Sequence, residues 1–132
     1  MRDCQPLKLV RVYADGAGET HLADLRVPDG LSGSGATTRV LRDVPTTTLN
    51  ISESLERRRQ MGPHAPPRRQ LGVVLRGEFE ITTTDGDSRR FGPGDCVLAD
   101  DMESKGHTYE DVGQEPLITV TIGLPTDWKW PE

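Results

Sequence analysis

Apolar residues recur along this chain at every second position in short runs, each closed by Gly, Pro, Asp or Ser. Helical spacing is nearly absent. The first runs predict strands over Lys8–Tyr13, Thr20–Val27, Arg39–Val44 and Thr47–Ser52. Asp29-Gly30-Leu31-Ser32-Gly33-Ser34-Gly35 predicts a flexible loop between the second and third. Ser54–Gln60 is compatible with one helical turn, stopped by Gly62-Pro63. Gln70–Arg76 is apolar on both faces, which predicts a strand covered on both sides. Glu78–Thr84 and Ser88–Phe91 flank Asp85-Gly86 as a hairpin. Cys96–Ala99, His107–Asp111 and Pro116–Ile122 complete nine or ten strands, and Thr126–Trp130 forms a tail carrying both tryptophans. Such spacing predicts an all-β sandwich or barrel, and the jelly-roll barrel is the form whose mouth can hold a ligand.

Composition sharpens this picture in a few places. A chain of 132 residues predicts one domain over 1–132, large enough to fold without staples. Gly and Pro together make 24 residues, as many turns between short strands require. The net charge of −5 argues against nucleic acid, which needs a basic footprint. Arg57-Arg58-Arg59 lies beside Glu53 and Glu56 and predicts a solvated face rather than a phosphate site. The start of the chain has no apolar leader pattern, and no run approaches the ~20 apolar residues that cross a bilayer. Cys4 and Cys96 are far apart and without metal-ligand spacing. These features predict a cytoplasmic protein with reduced thiols, no membrane and no nucleic-acid partner.

Candidate chemistry gathers in two segments. If the central strand extends back through His64-Ala65-Pro66-Pro67-Arg68-Arg69-Gln70, then His64, Arg68, Gln70 and Val74 share one face. Polar groups among core residues need partners, which predicts a wet mouth grading into a dry floor. The second segment runs from Gly92-Pro93-Gly94-Asp95 through an apolar stretch to Gly106-His107-Thr108-Tyr109. Together they predict a pocket for a small molecule.

These segments resemble the two motifs of the cupin superfamily. Its first motif runs His, any residue, His, three or four residues, Glu, six residues, Gly. His64, Pro66, Gln70 and Gly77 fall on those positions. Its second motif opens on Pro-Gly-Asp and ends on His, matched by Pro93-Gly94-Asp95 and His107. Asp100 or Asp101 stands where a Pro is usual, and Asp111 lies near a late Asn. The resemblance covers residues 47 to 122 and implies a single-domain cupin, a jelly-roll β-barrel. Asp15–His21 also resembles the opening of a group of small single-domain cupins. The resemblance further implies a metal bound by three His and one Glu. This chain offers only His64, Gln70 and His107, with Pro66 in place of one His. Two imidazoles and an amide still suit Zn, Fe, Ni or Mn, but without an anionic ligand a metal-free pocket is slightly favoured. His21 is the one remaining histidine able to complete the set, although a hydrogen-bonded structural role is the commoner fate of such a residue.

Without a metal, His64 or His107 becomes the natural general base, and Arg68 the group for a carboxylate or enolate oxygen. Tyr109 shares parity with His107 and serves either the pocket or the core. Arg69, Arg76, Arg89 and Arg90 are expected at the surface, as is Lys105, while Cys96 is expected to be inert. The leading reading is an enzyme of isomerase, cyclase or lyase type acting on an oxygenated small molecule, with aromatic and polyketide-like compounds among the candidates. The alternatives are a non-catalytic binding or sensory cupin, a weakly metal-dependent oxygenase, and a structural homodimer with a vestigial mouth. Leu71, Val73 and Leu75 form a second apolar face that predicts a homodimer.

Overall fold

The computed structural model describes residues 7–28, 38–56 and 61–131, the side chains of 61–64 excepted. The predicted loop over 29–35, the arginine run 57–59 and Cys4 lie outside the described residues. Alternation becomes ten strands: β1 (Leu9–Ala14), β2 (Thr20–Asp24), β3 (Thr48–Glu53), β4 (Met61–His64), β5 (Gln70–Arg76), β6 (Glu78–Thr82), β7 (Ser88–Phe91), β8 (Cys96–Asp100), β9 (His107–Val112) and β10 (Ile118–Gly123). They form a six-stranded sheet, β2-β1-β8-β5-β10-β3, and a four-stranded sheet, β4-β9-β6-β7. Neither closes on itself. The protein is all-β; among the described residues there is no helix, and so none able to cross a membrane.

Register explains why one part of the structure is filled and another is hollow. Across the large sheet, Val10 lies beside Val97, Val97 beside Gly72, Gly72 beside Thr121 and Thr121 beside Asn50. That row changes from branched aliphatic to glycine to polar as it crosses the sheet. At its apolar end Val10, Val12, Val74 and Val97 meet Phe79, Ile81 and Phe91 of the small sheet. Phe79 and Phe91 stack with centroids 5.2 Å apart, worth about 0.5–1.5 kcal/mol beyond their buried area. Toward the other end Gly72 and the threonines cannot fill the space, and a cavity opens.

Local backbone chemistry sets the two motif turns. Asp95 N–H donates to Gly92 O at 2.9 Å, with Pro93 and Gly94 between them and Gly94 at φ 89°. That is the pattern of a type II turn, where Pro presets the first corner and Gly takes the positive φ. The Asp95 carboxylate accepts from Gly92 N–H at 2.8 Å and closes the turn on itself. Gly77, between β5 and β6, has φ 79°, and a Cβ there would meet Pro116 O at 2.7 Å. Only glycine fits.

Four expectations need correction. Arg39–Val44 pairs only at an isolated bridge at Arg39. Val40, Leu41 and Val44 instead line an apolar groove with Leu71 and Leu98 on the outer face of the large sheet, so their apolar character serves packing rather than pairing. Gly62-Pro63 does not stop a helix but lies within β4. β4 is the edge of its sheet, where a missing N–H costs least. Gln70–Arg76 is not covered on both sides: Val74 is buried, its N-terminal residues are half-buried beside the cavity and groove, and Leu75 is 54% exposed. Arg69 is not a solvent-facing arginine. Its Nε donates to Asp100 at 2.6 Å and its Nη1 to the carbonyls of Thr126 and Trp128, tying the tryptophan tail to β8.

Candidate functional site

The cavity has a volume of about 290 Å³ and lies between the sheets. β9 contributes His107 and Tyr109, β6 contributes Phe79 and Ile81, and the large sheet contributes Gln70, Gly72, Val97, Ala99, Thr119 and Thr121. Pro66, Pro67, Ser52, Ser54 and Leu117 complete its lining. Three of the sequence-predicted site residues, Gln70, His107 and Tyr109, therefore share one space.

The chemically distinctive feature is behind the wall. His107 Nδ1 lies 2.6 Å from Asp101 Oδ2, with Asp101 wholly buried and His107 7% exposed. A carboxylate at that distance holds the proton on Nδ1 in the neutral ring and leaves the lone pair on Nε2. The other Asp101 oxygen, Oδ1, is buried without a hydrogen-bond partner among the described residues. A buried carboxylate with one oxygen unpaid is costly, and such departures concentrate at functional sites.

The loop that presents Asp101 is built to do so. Ser104 Oγ donates to Asp101 O at 2.5 Å and accepts from Gly106 N–H at 2.9 Å. The β1–β2 turn holds the same loop from outside, through Thr20 Oγ1 to Gly106 O at 2.9 Å and Lys105 N–H to Gly18 O at 3.0 Å. Lys105 itself pairs with Glu19 at the surface, away from the cavity lining.

The remaining candidates are placed elsewhere or in part. His64 and Gln70 do not share a strand: the chain leaves β4 of the small sheet, turns through Pro66-Pro67 and enters β5 of the large sheet. Parity therefore cannot be carried from one to the other. The His64 backbone is the register partner of His107; its side chain lies outside those described. Pro66 is buried and lines the cavity where the resemblance implied a ligand. Arg68 does not line the cavity. Its Nη1 is 3.4 Å from Thr48 Oγ1, beside the end of β10. Asp101 was missed as a site residue because it follows the last residue of β8, where strand parity no longer says which way a side chain points.

His21 lies on edge strand β2 of the large sheet, not on the sheet that carries His107, and does not line the cavity. Its Nε2 is 2.7 Å from Asp15 and its Nδ1 2.9 Å from Asp85, and its ring stacks on Tyr13. The Asp15 hydrogen bond, followed by that to Asp85, raises its affinity for a proton above the ordinary value of 6.5 despite partial burial. The Asp15 carboxyl is lowered, chiefly by the His21 bond; that of Asp85 is lowered chiefly by Thr83. A raised histidine stabilises the fold fully below its unfolded value, and this is lost as pH rises through the folded one. The lowered carboxylates stabilise above their unfolded values and lose that contribution as pH falls through the folded ones. The thermal midpoint should thus decline as pH rises from 6.5 through the raised folded-state value of His21, and His21→Leu should flatten that decline. Identical pH profiles in both proteins would refute the assignment.

Among the described residues, no group of three His, Cys, Asp or Glu side chains could hold a metal ion. The described side chains on the cavity wall offer one imidazole, one amide, a phenol and several hydroxyls, none of them negatively charged. By themselves these lack the anionic or multiple imidazole ligands that hold a divalent cation tightly. Cys96 opens instead onto the apolar outer groove, where burial raises its thiol above the ordinary range.

No protein-family model and no curated protein sequence matches the chain. Among solved structures it is similar to the crystal structure of protein NMB1881 from Neisseria meningitidis at 13% identity and a TM-score of 0.41. The match covers 68% of this chain and 91% of that one, a likeness too slight to carry an inference.

Proposed function

We propose that the protein is an enzyme performing acid–base chemistry, of isomerase, cyclase or lyase type, on a small oxygenated molecule held between its sheets. The single observation that carries this is the His107–Asp101 pair, 2.6 Å apart and buried at the wall of the cavity. His107 Nε2 takes a proton from substrate carbon or oxygen, and the Asp101 carboxylate steadies the imidazolium that forms. Gln70 supplies a neutral N–H donor for the oxygen on which charge develops. Arg68 has no part in this reading, because it points to Thr48.

The finer structural reading, a small single-domain cupin, belongs to the same proposal. It is supported by the Pro93-Gly94-Asp95 turn, by Gly77 at its strand junction and by His107 on the cavity wall. The proposal also takes the protein as a homodimer. Leu49, Ile51 and Leu75 are 62%, 71% and 54% exposed on the outer face, and β3 is an edge strand with every residue exposed. Light scattering should give twice the 14.6 kDa chain mass; a clean monomer refutes that part.

Two measurements test the chemistry. Imidazole ¹⁵N spectra should show the neutral His107 protonated on Nδ1. A panel of cyclic hydroxyketones in deuterated water should reveal proton exchange or turnover that disappears in His107→Gln. An Nε2-protonated ring, or turnover indifferent to His107→Gln, overturns the reading. Metal analysis of the same preparation decides against it in another way: stoichiometric metal lost in His107→Ala would make His107 a ligand instead of a base.

A further inference from the structure

The two walls of the cavity differ in chemistry, and the difference restricts what can occupy it. On the small sheet, Phe79, Ile81 and Tyr109 make an apolar wall, with the Phe79 and Tyr109 rings stacked on each other at 4.9 Å. Facing them, Gln70, Thr119, Thr121 and Ser52 carry neutral polar groups, with Ser54 beside them. None of these five polar side chains is hydrogen-bonded to another described residue. They are donors and acceptors that the described fold does not use.

No Asp, Glu, Lys or Arg is among the described residues that line the space. The acids nearby are directed elsewhere. Asp101 binds His107 from behind, balancing any charge the imidazole takes up, and Asp111 opens onto a separate cleft of about 110 Å³. A charged ligand group would therefore lose water without gaining a counter-ion from the described lining. The volume of 290 Å³ is about twice that of a cavity of ~150 Å³ that takes up benzene.

Resting on the reading of this cavity as the site, we infer that its ligand is an uncharged molecule built on one substituted ring or two fused rings. One side of it is apolar and meets Phe79, Ile81 and Tyr109; hydroxyl or carbonyl oxygens on the other meet the threonines, Ser52 and Gln70.

Resorcinol, a neutral ring with two hydroxyls, and benzoate, a ring of similar size with a charge, are the probes. Titration of the full chain by NMR should show resorcinol moving the Tyr109 and His107 side-chain signals saturably. Benzoate should bind at least about tenfold more weakly. Thr119→Val/Thr121→Val removes two hydroxyls at nearly constant shape and should weaken resorcinol about tenfold, with each single variant about threefold if the pair does not fold. Benzoate binding as well as resorcinol, valine variants binding as well as wild type, or resorcinol failing to reach these residues each overturns the inference. The His107 tautomer and proton exchange decide the acid–base reading separately. Selective resorcinol binding beside an Nε2-protonated His107 would leave the ligand class standing and remove the chemistry.

Discussion

Replacing Asp100 by alanine should cost the fold about 3–5 kcal/mol, the largest loss expected from any single surface-distant charge in the molecule. Asp100 is only 8% exposed at its side chain and serves two arginines at once. Oδ1 accepts from Arg69 Nε at 2.6 Å, and Oδ2 accepts from Arg11 Nε at 2.9 Å and Nη2 at 2.5 Å. The Arg69 side chain is 13% exposed, so without Asp100 its guanidinium is a buried charge lacking its acid. Arg11, at 40% exposed, can return to water and adds little. The damage should spread, because the same Arg69 holds the carbonyls of Thr126 and Trp128, and Trp128 lines the outer groove with Leu71 and Leu98. Urea unfolding followed by tryptophan fluorescence measures both effects. Loss of the Trp128–Trp130 edge contact should accompany the fall in midpoint. Asp100→Leu with Arg69→Met should recover part of the stability: neither charge is left stranded, while the Thr126 and Trp128 carbonyls still lose their donor. A loss below ~1 kcal/mol in Asp100→Ala would show that the clamp is ornamental.

Asp101→Asn should behave in the opposite way, damaging function while sparing or improving stability. The asparagine keeps the shape of the carboxylate but removes a wholly buried charge whose Oδ1 has no partner among the described residues. It also offers an N–H where His107 Nδ1 needs an acceptor, which favours the tautomer protonated on Nε2. The base would then be capped by its own proton. Any turnover found in the deuterium screen should fall about 10²–10⁴-fold, as expected when a base loses its orienting acid. The imidazole ¹⁵N shifts should report the inverted tautomer directly, with the thermal midpoint unchanged or higher. A protein that loses stability and keeps the Nδ1 proton would make Asp101 a structural residue. The neighbouring pair thus separates two uses of a buried acid: Asp100 holds the fold, and Asp101 aims a histidine.

That separation was not legible beforehand. Asp100 and Asp101 occupy one position of the motif resemblance, and only the end of β8 decides that the first faces the arginines while the second turns behind His107. The same holds for Arg68 and Arg69. Parity from Gln70 assigned Arg68 to the cavity, but Pro67 stands before it and the strand begins only at Gln70. His64 shows the error most plainly, because its strand belongs to the other sheet. Pairing that joins the chain over such distances, 89 residues between Arg11 and Asp100, is absent from any local pattern.

By itself the sequence determined what depends on neighbours along the chain. The bounds of Gln70–Arg76 and Ser88–Phe91 were legible to the residue. Positive φ favours glycine, so the turns at Gly77 and Gly86 followed from the local sequence, and the one at Gly94 from the motif resemblance. The tertiary structure decided which strands meet. It closed Gln70, His107 and Tyr109 around one cavity, held His21 in an acidic clamp on edge strand β2 and set a buried carboxylate against His107. Backbone geometry is a property of one or two residues, whereas a site is a coincidence of strands whose register is fixed by burying many side chains at once.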